Sequence, residues 1–397
     1  MKQIQDAYIV AATRTPVGKA PRGVFHNTRP DEMLAHVLRA VVAQAPGIDV
    51  NRIEDAVIGC AMPEAEQGMN VARIGVLLAG LPNSVAAQTI NRFCSSGLQA
   101  VALAADQIRL GNADLVLAGG TESMSMVPMM GHRPSLSPQV FDNEHIAIAY
   151  GMGITAEKVS EEWKVSREDQ DAFAYASHQK ALAAQAAGEF KDEISPYDII
   201  KRVPNLADGS IQQRHDVIEH DEGPRADTSM QVLAKLRTVF RAGGTVTAGN
   251  SSQMSDGAGA VLLASEQAIK DYGLTPLARF VSFSVAGVRP EVMGIGPIAA
   301  IPKALKQAGL TQDQLDWIEL NEAFAAQSLA VIRDCQLDPS KINPLGGAIA
   351  LGHPLGATGA VRTATIVHGM RRRQQKYGMV TMCIGTGMGA AGIFESL

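Results

Sequence analysis

Two distant stretches of this 397-residue chain read as versions of one another. Gln44-Ala45-Pro46-Gly47-Ile48-Asp49-Val50-Asn51-Arg52-Ile53-Glu54-Asp55-Ala56 resembles Gln307-Ala308-Gly309-Leu310-Thr311-Gln312-Asp313-Gln314-Leu315-Asp316-Trp317-Ile318-Glu319. Further along each, a turn, a helical run and an apolar strand ending in glycines occupy Cys94 to Gly120 and again His353 to Gly387. Self-similarity of this kind restricts the chain to two copies of one supersecondary plan. Duplicated halves commonly place a site where they meet.

Strand-like and helical runs alternate from the start, which is the pattern of an α/β fold. Tyr8 to Ala12 is a short apolar strand, Pro30 to Ala45 has helical spacing, and Ile53 to Gly59 is a second strand. Leu98, Val101, Ala102, Ala105 and Ile108 recur at helical spacing before Gly111-Asn112, and Leu115 to Ala118 follows as a buried strand. From about Ser123 to Asn250 the chain carries more charge. There, Thr155 to Ala187 reads as helix broken near Lys164-Val165 and restarted by an N-cap at Ser166, and Pro204 to Gly209 as loop. The predicted organisation is an N-terminal half at 1–122, an inserted loop domain at 123–250, a return to the first half at 251–274, and a C-terminal half at 275–397.

With 46% hydrophobic residues the chain can fill a large core. A net charge of −5 argues against nucleic acid as a partner. Apolar runs are too short to span a bilayer, and Met1 to Val10 reads as a first strand rather than a signal peptide. Cys60, Cys94, Cys335 and Cys383 form no C-x-x-C pair and no zinc-ligand spacing, so free thiols in the cytoplasm and no metal site are expected.

Two of these cysteines stand in turn-forming settings. Cys94, in Asn91-Arg92-Phe93-Cys94-Ser95-Ser96-Gly97, precedes a helix starting at about Gly97, with Ser95 and Ser96 as candidate caps. A helix entrance favours a thiolate, which a nucleophile needs, although a small buried packing residue would also fit such a turn. His353 lies among glycines in Gly352-His353-Pro354-Leu355-Gly356, ahead of a helix from about Ala360 to Met370. Cys383 ends an apolar strand and opens Cys383-Ile384-Gly385-Thr386-Gly387. Gly387 to Gly392 satisfies G-x-G-x-x-G, but only five residues follow, too few for the helix and second strand of a dinucleotide site. Those glycines more plausibly expose backbone N–H groups beside the thiol, as an oxyanion hole does.

Together these motifs resemble the thiolase family along essentially the whole chain, supported by Asn321-Glu322-Ala323-Phe324 and by Thr247-Ala248-Gly249-Asn250-Ser251-Ser252 with Asp256-Gly257. The resemblance implies a thiolase fold, with two related α/β halves layered α-β-α-β-α and a loop domain inserted in the first. It implies that Cys94 takes the acyl group, that His353 keeps it as thiolate, and that Cys383 is the acid and base of the carbon–carbon step. Asn321, through a water, and His353 would hold the thioester oxygen as it becomes an enolate. The N–H groups of Cys94 and Gly385 would hold the second oxyanion, Ser252 would contact the pantetheine arm, and Arg225 would pack on the adenine. Coenzyme A is then a substrate, with no bound cofactor. A homodimer or homotetramer is expected, with a β-oxidation multienzyme complex as a further candidate partner. Short-chain biosynthetic members carry a histidine where this chain has Gly151, which favours a broad-range 3-ketoacyl-CoA cleaving type over an acetoacetyl-CoA thiolase running in condensation. A non-catalytic scaffold would require none of Cys94, His353, Cys383 and Asn321. Cys60 and Cys335 read as packing residues.

Overall fold

The computed structural model describes residues 4–205 and 207–397. Residues 1–3 of the expected first strand, and Leu206 in the expected loop, lie outside the described residues. Two half-sheets share one plan. In the first, β1 (Tyr8–Arg14), β3 (Ile53–Gly59), β4 (Ala86–Ile90), β5 (Leu115–Ser123) and β8 (Ser255–Ala264) stand in the order β4-β3-β5-β8-β1, and β2 (Gly18–Lys19) pairs with β8. The β3–β4 and β3–β5 pairs are parallel, whereas β5–β8 and β8–β1 are antiparallel. In the second, β9 (Ala278–Gly287), β10 (Trp317–Leu320), β11 (Tyr377–Ile384) and β12 (Met388–Ser396) run β10-β11-β12-β9, parallel once and then antiparallel twice. A parallel bridge from Ile318 to Ile342 stands where β4 stands in the first half. The repeat legible in the sequence is therefore a repeat of strand order and direction. The half-sheets join edge to edge through Tyr8–Arg279 and Ile9–Ala278 into one ten-stranded sheet.

Helices α1 (Pro30–Ala43) and α2 (Val71–Leu78) cover the outer face of the first half-sheet, and α9 (Gly296–Ala308) and α10 (Ala325–Asp334) pack outside the second. Between the sheets α3 (Ser96–Arg109) and α12 (Leu355–Arg372) lie against each other. The sequence of α1 explains its role: Pro30 opens it, Asp31 and Glu32 favour the first turn, and Met33, Leu34, Val37, Leu38 and Val41 form its buried stripe. Strand β5, parallel to β3 and antiparallel to β8, is buried along its whole length because helices cover both faces of the sheet there. Its residues Val116 and Ala118 face the central helices, while Leu115 and Leu117 face the outer layer.

The segment between β5 and β8 leaves the sheet. It holds α4 (Glu144–Ile148), α5 (Met152–Glu162), α6 (Arg167–Ala186), the hairpin β6 (Tyr197–Pro204) with β7 (Ile211–Ile218), and α7 (Met230–Ala234). The expected break falls at Lys164, with φ +52°, and Ser166 Oγ accepts from the Asp169 N–H at 3.1 Å to restart the helix. After β8 come α8 (Glu266–Tyr272) and later the short α11 (Ala348–Leu351). Buried Arg14 on β1 anchors the insertion, donating to Glu193 at 2.6 Å and to Asp221 at 2.7 Å. The helix after His353 begins at Leu355, five residues before the sequence predicts. Gly356 and Gly359 disfavour helix by propensity, but close packing needs them: a Cβ at Gly359 would collide with Leu98 N on α3, and one at Gly356 would stand 2.7 Å from Cys60 Cα and Ala61 N. A Cβ at Gly97 on α3 would stand 2.6 Å from Ala360 N and 2.9 Å from Gly356 O.

Candidate active site

β4 ends at Ile90, and the chain turns sharply before α3. Asn91 Oδ1 accepts from the Phe93 N–H at 2.8 Å, while its Nδ2 donates to Ala61 O at 3.0 Å. Phe93 is left-handed, with φ +44°, a conformation that costs a non-glycine residue and persists only when its surroundings enforce it. Ser96 Oγ supplies that enforcement, accepting from the Arg92 N–H at 2.8 Å and donating to Phe93 O at 2.7 Å. Cys94 follows in a single 3-10 turn at the head of α3. Neither predicted cap acts as one. Ser96 already belongs to the first helical turn and points back, and the Ser95 hydroxyl is fully buried without a partner.

His353 reaches the same place from the other half. Gly352 turns the chain with φ +94°, the His353 N–H donates to Ser255 Oγ at 3.0 Å, and Nδ1 lies 2.7 Å from Thr358 Oγ1. Nε2 faces Asn321 Nδ2 at 3.4 Å. Asn321 extends from the end of β10, and its buried Oδ1 has no partner, leaving an acceptor free for a water or a substrate atom. Cys383, near the end of β11, is wholly buried beside Met293, Ala323 and Phe324.

The electrostatics bear on one expectation, that Cys94 is held as thiolate. Burial pushes the Cys94 thiol up to about 11, and the backbone N–H groups of Gly385 and of Cys94 itself oppose that without overcoming it. The His353 imidazole is pushed down to about 3, by burial first and then by the Arg362 charge. Both shifts favour the neutral thiol and the neutral imidazole, and so oppose the thiolate that the resemblance implies. Desolvation in so closed a site outweighs the helix dipole, which contributes only about 0.3–1 kcal/mol. Cys383 is raised further still, by burial first and then by the charge that Cys94 would carry as a thiolate, so the two sulfurs sense each other.

A cavity of about 750 Å³ opens over these groups, with Cys94, His353 and Gly385 in its wall. Met62, Met124, Met130, Met152 and Met293 make much of it soft and apolar, while Ser252 and Gln253 give one side polar atoms. Gly151 also lines it, and a Cβ there would meet only ordinary contacts at 3.5 Å. Ser252 donates its N–H to Ala323 O at 2.9 Å. Arg225 stands apart. It is absent from the cavity wall, its guanidinium pairs with Asp227 at 2.9 Å on the surface, and its N–H donates to His178 Nδ1. Cys60 is buried, whereas Cys335 is partly exposed at the end of α10. Among the described residues no group of three or more His, Cys, Asp or Glu could hold a metal ion.

Sequence reasoning missed Thr358, which orients the imidazole, and the left-handed Phe93. A hydroxyl in the first helical turn after a glycine-flanked histidine is a usable signal for the former. Nothing in the sequence marks the latter.

Models of the thiolase N-terminal and C-terminal domains match residues 7–267 and 274–396. The chain is 52% identical over 395 residues to 3-ketoacyl-CoA thiolase of Bacillus subtilis, covering 99% of this chain and 100% of that protein. It is 46% identical to the mouse peroxisomal 3-ketoacyl-CoA thiolase A, covering 98% and 91%. Human mitochondrial 3-ketoacyl-CoA thiolase superposes over the full length of both chains with a TM-score of 0.89 at 38% identity. The Bacillus anthracis acetyl-CoA acetyltransferase does so with a TM-score of 0.89 at 37%. Repeated half-sheets, a cysteine and a histidine heading the two central helices, and matches across both halves have one explanation: the chain belongs to the thiolase family.

Proposed function

We propose that the protein cleaves 3-ketoacyl-CoA with coenzyme A to acetyl-CoA and a shortened acyl-CoA, the thiolytic step of fatty-acid β-oxidation. The observation that carries this reading is that two backbone N–H groups, from Gly385 and Cys94, act on a buried Cys94 sulfur that lines the same cavity as the His353 imidazole. Relatives named 3-ketoacyl-CoA thiolase, matched over the full chain, support the substrate class.

With Nδ1–H donated to Thr358, the His353 Nε2 lone pair, which faces Asn321 Nδ2 at 3.4 Å at rest, leaves that contact to take the Cys94 proton. The Cys94 sulfur then bonds the 3-keto carbon, whose oxygen is held by the N–H groups of Cys94 and Gly385. The bond between the second and third acyl carbons breaks toward the thioester, leaving acyl-Cys94 and the enolate of acetyl-CoA. Protonated His353, with Asn321 through a water at its free Oδ1, stabilises the enolate oxygen. The Cys383 thiol gives its proton to the enolate carbon, and its thiolate next takes the proton of incoming coenzyme A. That sulfur attacks acyl-Cys94, releasing acyl-CoA and restoring the thiol. Coenzyme A serves as a substrate, no resident cofactor takes part, and Ser252 lies on the polar side suited to the pantetheine amides. Arg225 is the adenine-stacking candidate once its surface pair with Asp227 opens.

The free outer edge of β4, with Met69 beside it 94% exposed, supports a homodimer or homotetramer, since an unpaired edge invites a second chain. A β-oxidation multienzyme partner would approach from outside that contact. Four free cysteines support a cytoplasmic setting. Among the described residues no helix is long and apolar enough to cross a membrane. Steady-state cleavage of 3-ketoacyl-CoA substrates from acetoacetyl-CoA upward tests the reading. Turnover should persist as the chain lengthens, and activity confined to acetoacetyl-CoA would replace it with the condensing acetyl-CoA acetyltransferase.

A further inference from the structure

The cysteine and the histidine ride on different helices from different halves of the chain, so something must fix the spacing between them. The carboxylate of Glu122, near the end of β5, is fully buried and, among the described residues, pairs with no cation. Its Oε2 accepts from the Ala61 N–H at 2.7 Å and from the Gly356 N–H at 2.8 Å. Its Oε1 accepts from the Met62 N–H at 3.2 Å, from Gln67 Nε2, and from the Cys60 S–H at 3.9 Å. Burial pushes the carboxyl up, and against that every partner is a donor, so the hydrogen bonds from Ala61, Gly356, Gln67 and Met62 favour the ionised form.

These donors come from two places. Gly356 is in the first turn of α12, three residues beyond His353. Ala61 and Met62 belong to the segment after β3 that walls the cavity. The path continues, because Ala61 O accepts from Asn91 Nδ2 and Asn91 Oδ1 holds the Phe93 N–H ahead of Cys94. A side chain at Gly356 would stand 2.7 Å from Glu122 Oε2 and from Cys60 Cα, so only glycine lets that N–H meet the carboxylate. We propose that Glu122 is a positioning residue, an anionic strut that sets the separation of Cys94 and His353 through Gly356 on one side and Ala61–Asn91 on the other. Its charge also lies close enough to Cys94 to favour the thiol there. Two other titratable groups stand at the site: Cys383, which the Cys94 charge raises, and His353, which lines the same cavity and which burial keeps neutral.

This inference rests on the acyl-transfer reading of Cys94 and His353, which wild-type acylation checks separately. The test is Glu122→Gln beside Glu122→Asp, with pre-steady-state acylation by a 3-ketoacyl-CoA and the pH profile of Cys94 alkylation by iodoacetamide. In Glu122→Gln the strut loses its charge and half of its acceptors. Acylation should slow by about 10- to 100-fold with KM nearly unchanged, and alkylation of Cys94 should move to lower pH because a neighbouring negative charge has gone. Glu122→Asp should slow acylation while leaving the alkylation profile in place, since the charge remains. Wild-type rates in Glu122→Gln, a rise in KM matching the fall in kcat, or an unmoved alkylation profile in that variant would each overturn the proposal. Failure of both variants to fold would make Glu122 a folding residue and overturn it as well.

Discussion

Gly97 is the third residue after Cys94 and sits where α3 crosses α12. Changing it to alanine would ordinarily stabilise a helix by up to about 1 kcal/mol. Here the new Cβ would stand 2.6 Å from Ala360 N, 2.9 Å from Gly356 O and 3.2 Å from Gly359 N, all backbone atoms of the facing helix. Ordinary contact begins at 3.4 Å, so the helices must separate by roughly 0.8 Å, and no flexible side chain can absorb the strain. Overpacking of this kind costs about 1–3 kcal/mol, and rigid backbone on both sides places it at the upper end. After the propensity gain, Gly97→Ala should lose about 1–2 kcal/mol in urea unfolding. Since the two helices carry Cys94 and His353, a shift approaching 1 Å should also lower kcat by up to about 100-fold. Equal or greater stability with kcat within twofold of wild type would refute the claim that backbone contact at this crossing positions the site.

Three further outcomes follow from the same geometry. In Cys383→Ser, acylation of Cys94 by a simple acyl-CoA should survive in part, while carbon–carbon cleavage and condensation fall by about two to four orders of magnitude; equal loss of both would remove Cys383 from the proton-transfer role. Iodoacetamide should label Cys94 slowly near pH 6 and faster as pH climbs toward about 11, because only the thiolate reacts and burial disfavours it. Fast labelling of Cys94 at pH 6, located by peptide mapping, would instead show a preformed thiolate. Gly151→Leu should fold normally, because its Cβ meets only 3.5 Å contacts, yet lower kcat/KM for long acyl chains more than for acetoacetyl-CoA; parallel losses would place the acyl chain elsewhere.

The sequence discloses best what the backbone constrains locally. The cysteine and histidine turns are written in glycine, proline and serine, and the alternation of strands and helices follows side-chain periodicity. Both survive in the structure, as does the duplication, now visible as matching strand order in β4-β3-β5-β8-β1 and β10-β11-β12-β9. What the sequence conceals depends on segments far apart in the chain. Arg14 meets Glu193 and Asp221 across about half the chain, and no local pattern announces it. The start of α12 at Leu355 is hidden because Gly356 and Gly359 oppose helix until Cys60–Ala61 and α3, respectively, are packed against them. The protonation of Cys94 and His353 is hidden for the same reason. A helix entrance suggests a thiolate, but only the assembled walls show how deeply both side chains are buried.

The central claim is that Cys94 carries the acyl group. The direct measurement is mass spectrometry of the protein mixed with a 3-ketoacyl-CoA while free coenzyme A is withheld, followed by peptide mapping. The account expects one shortened acyl group on the peptide containing Cys94, release of acetyl-CoA in equal amount, and removal of the adduct when coenzyme A is added. An adduct on Cys383 instead, or turnover with no adduct on Cys94, would contradict it.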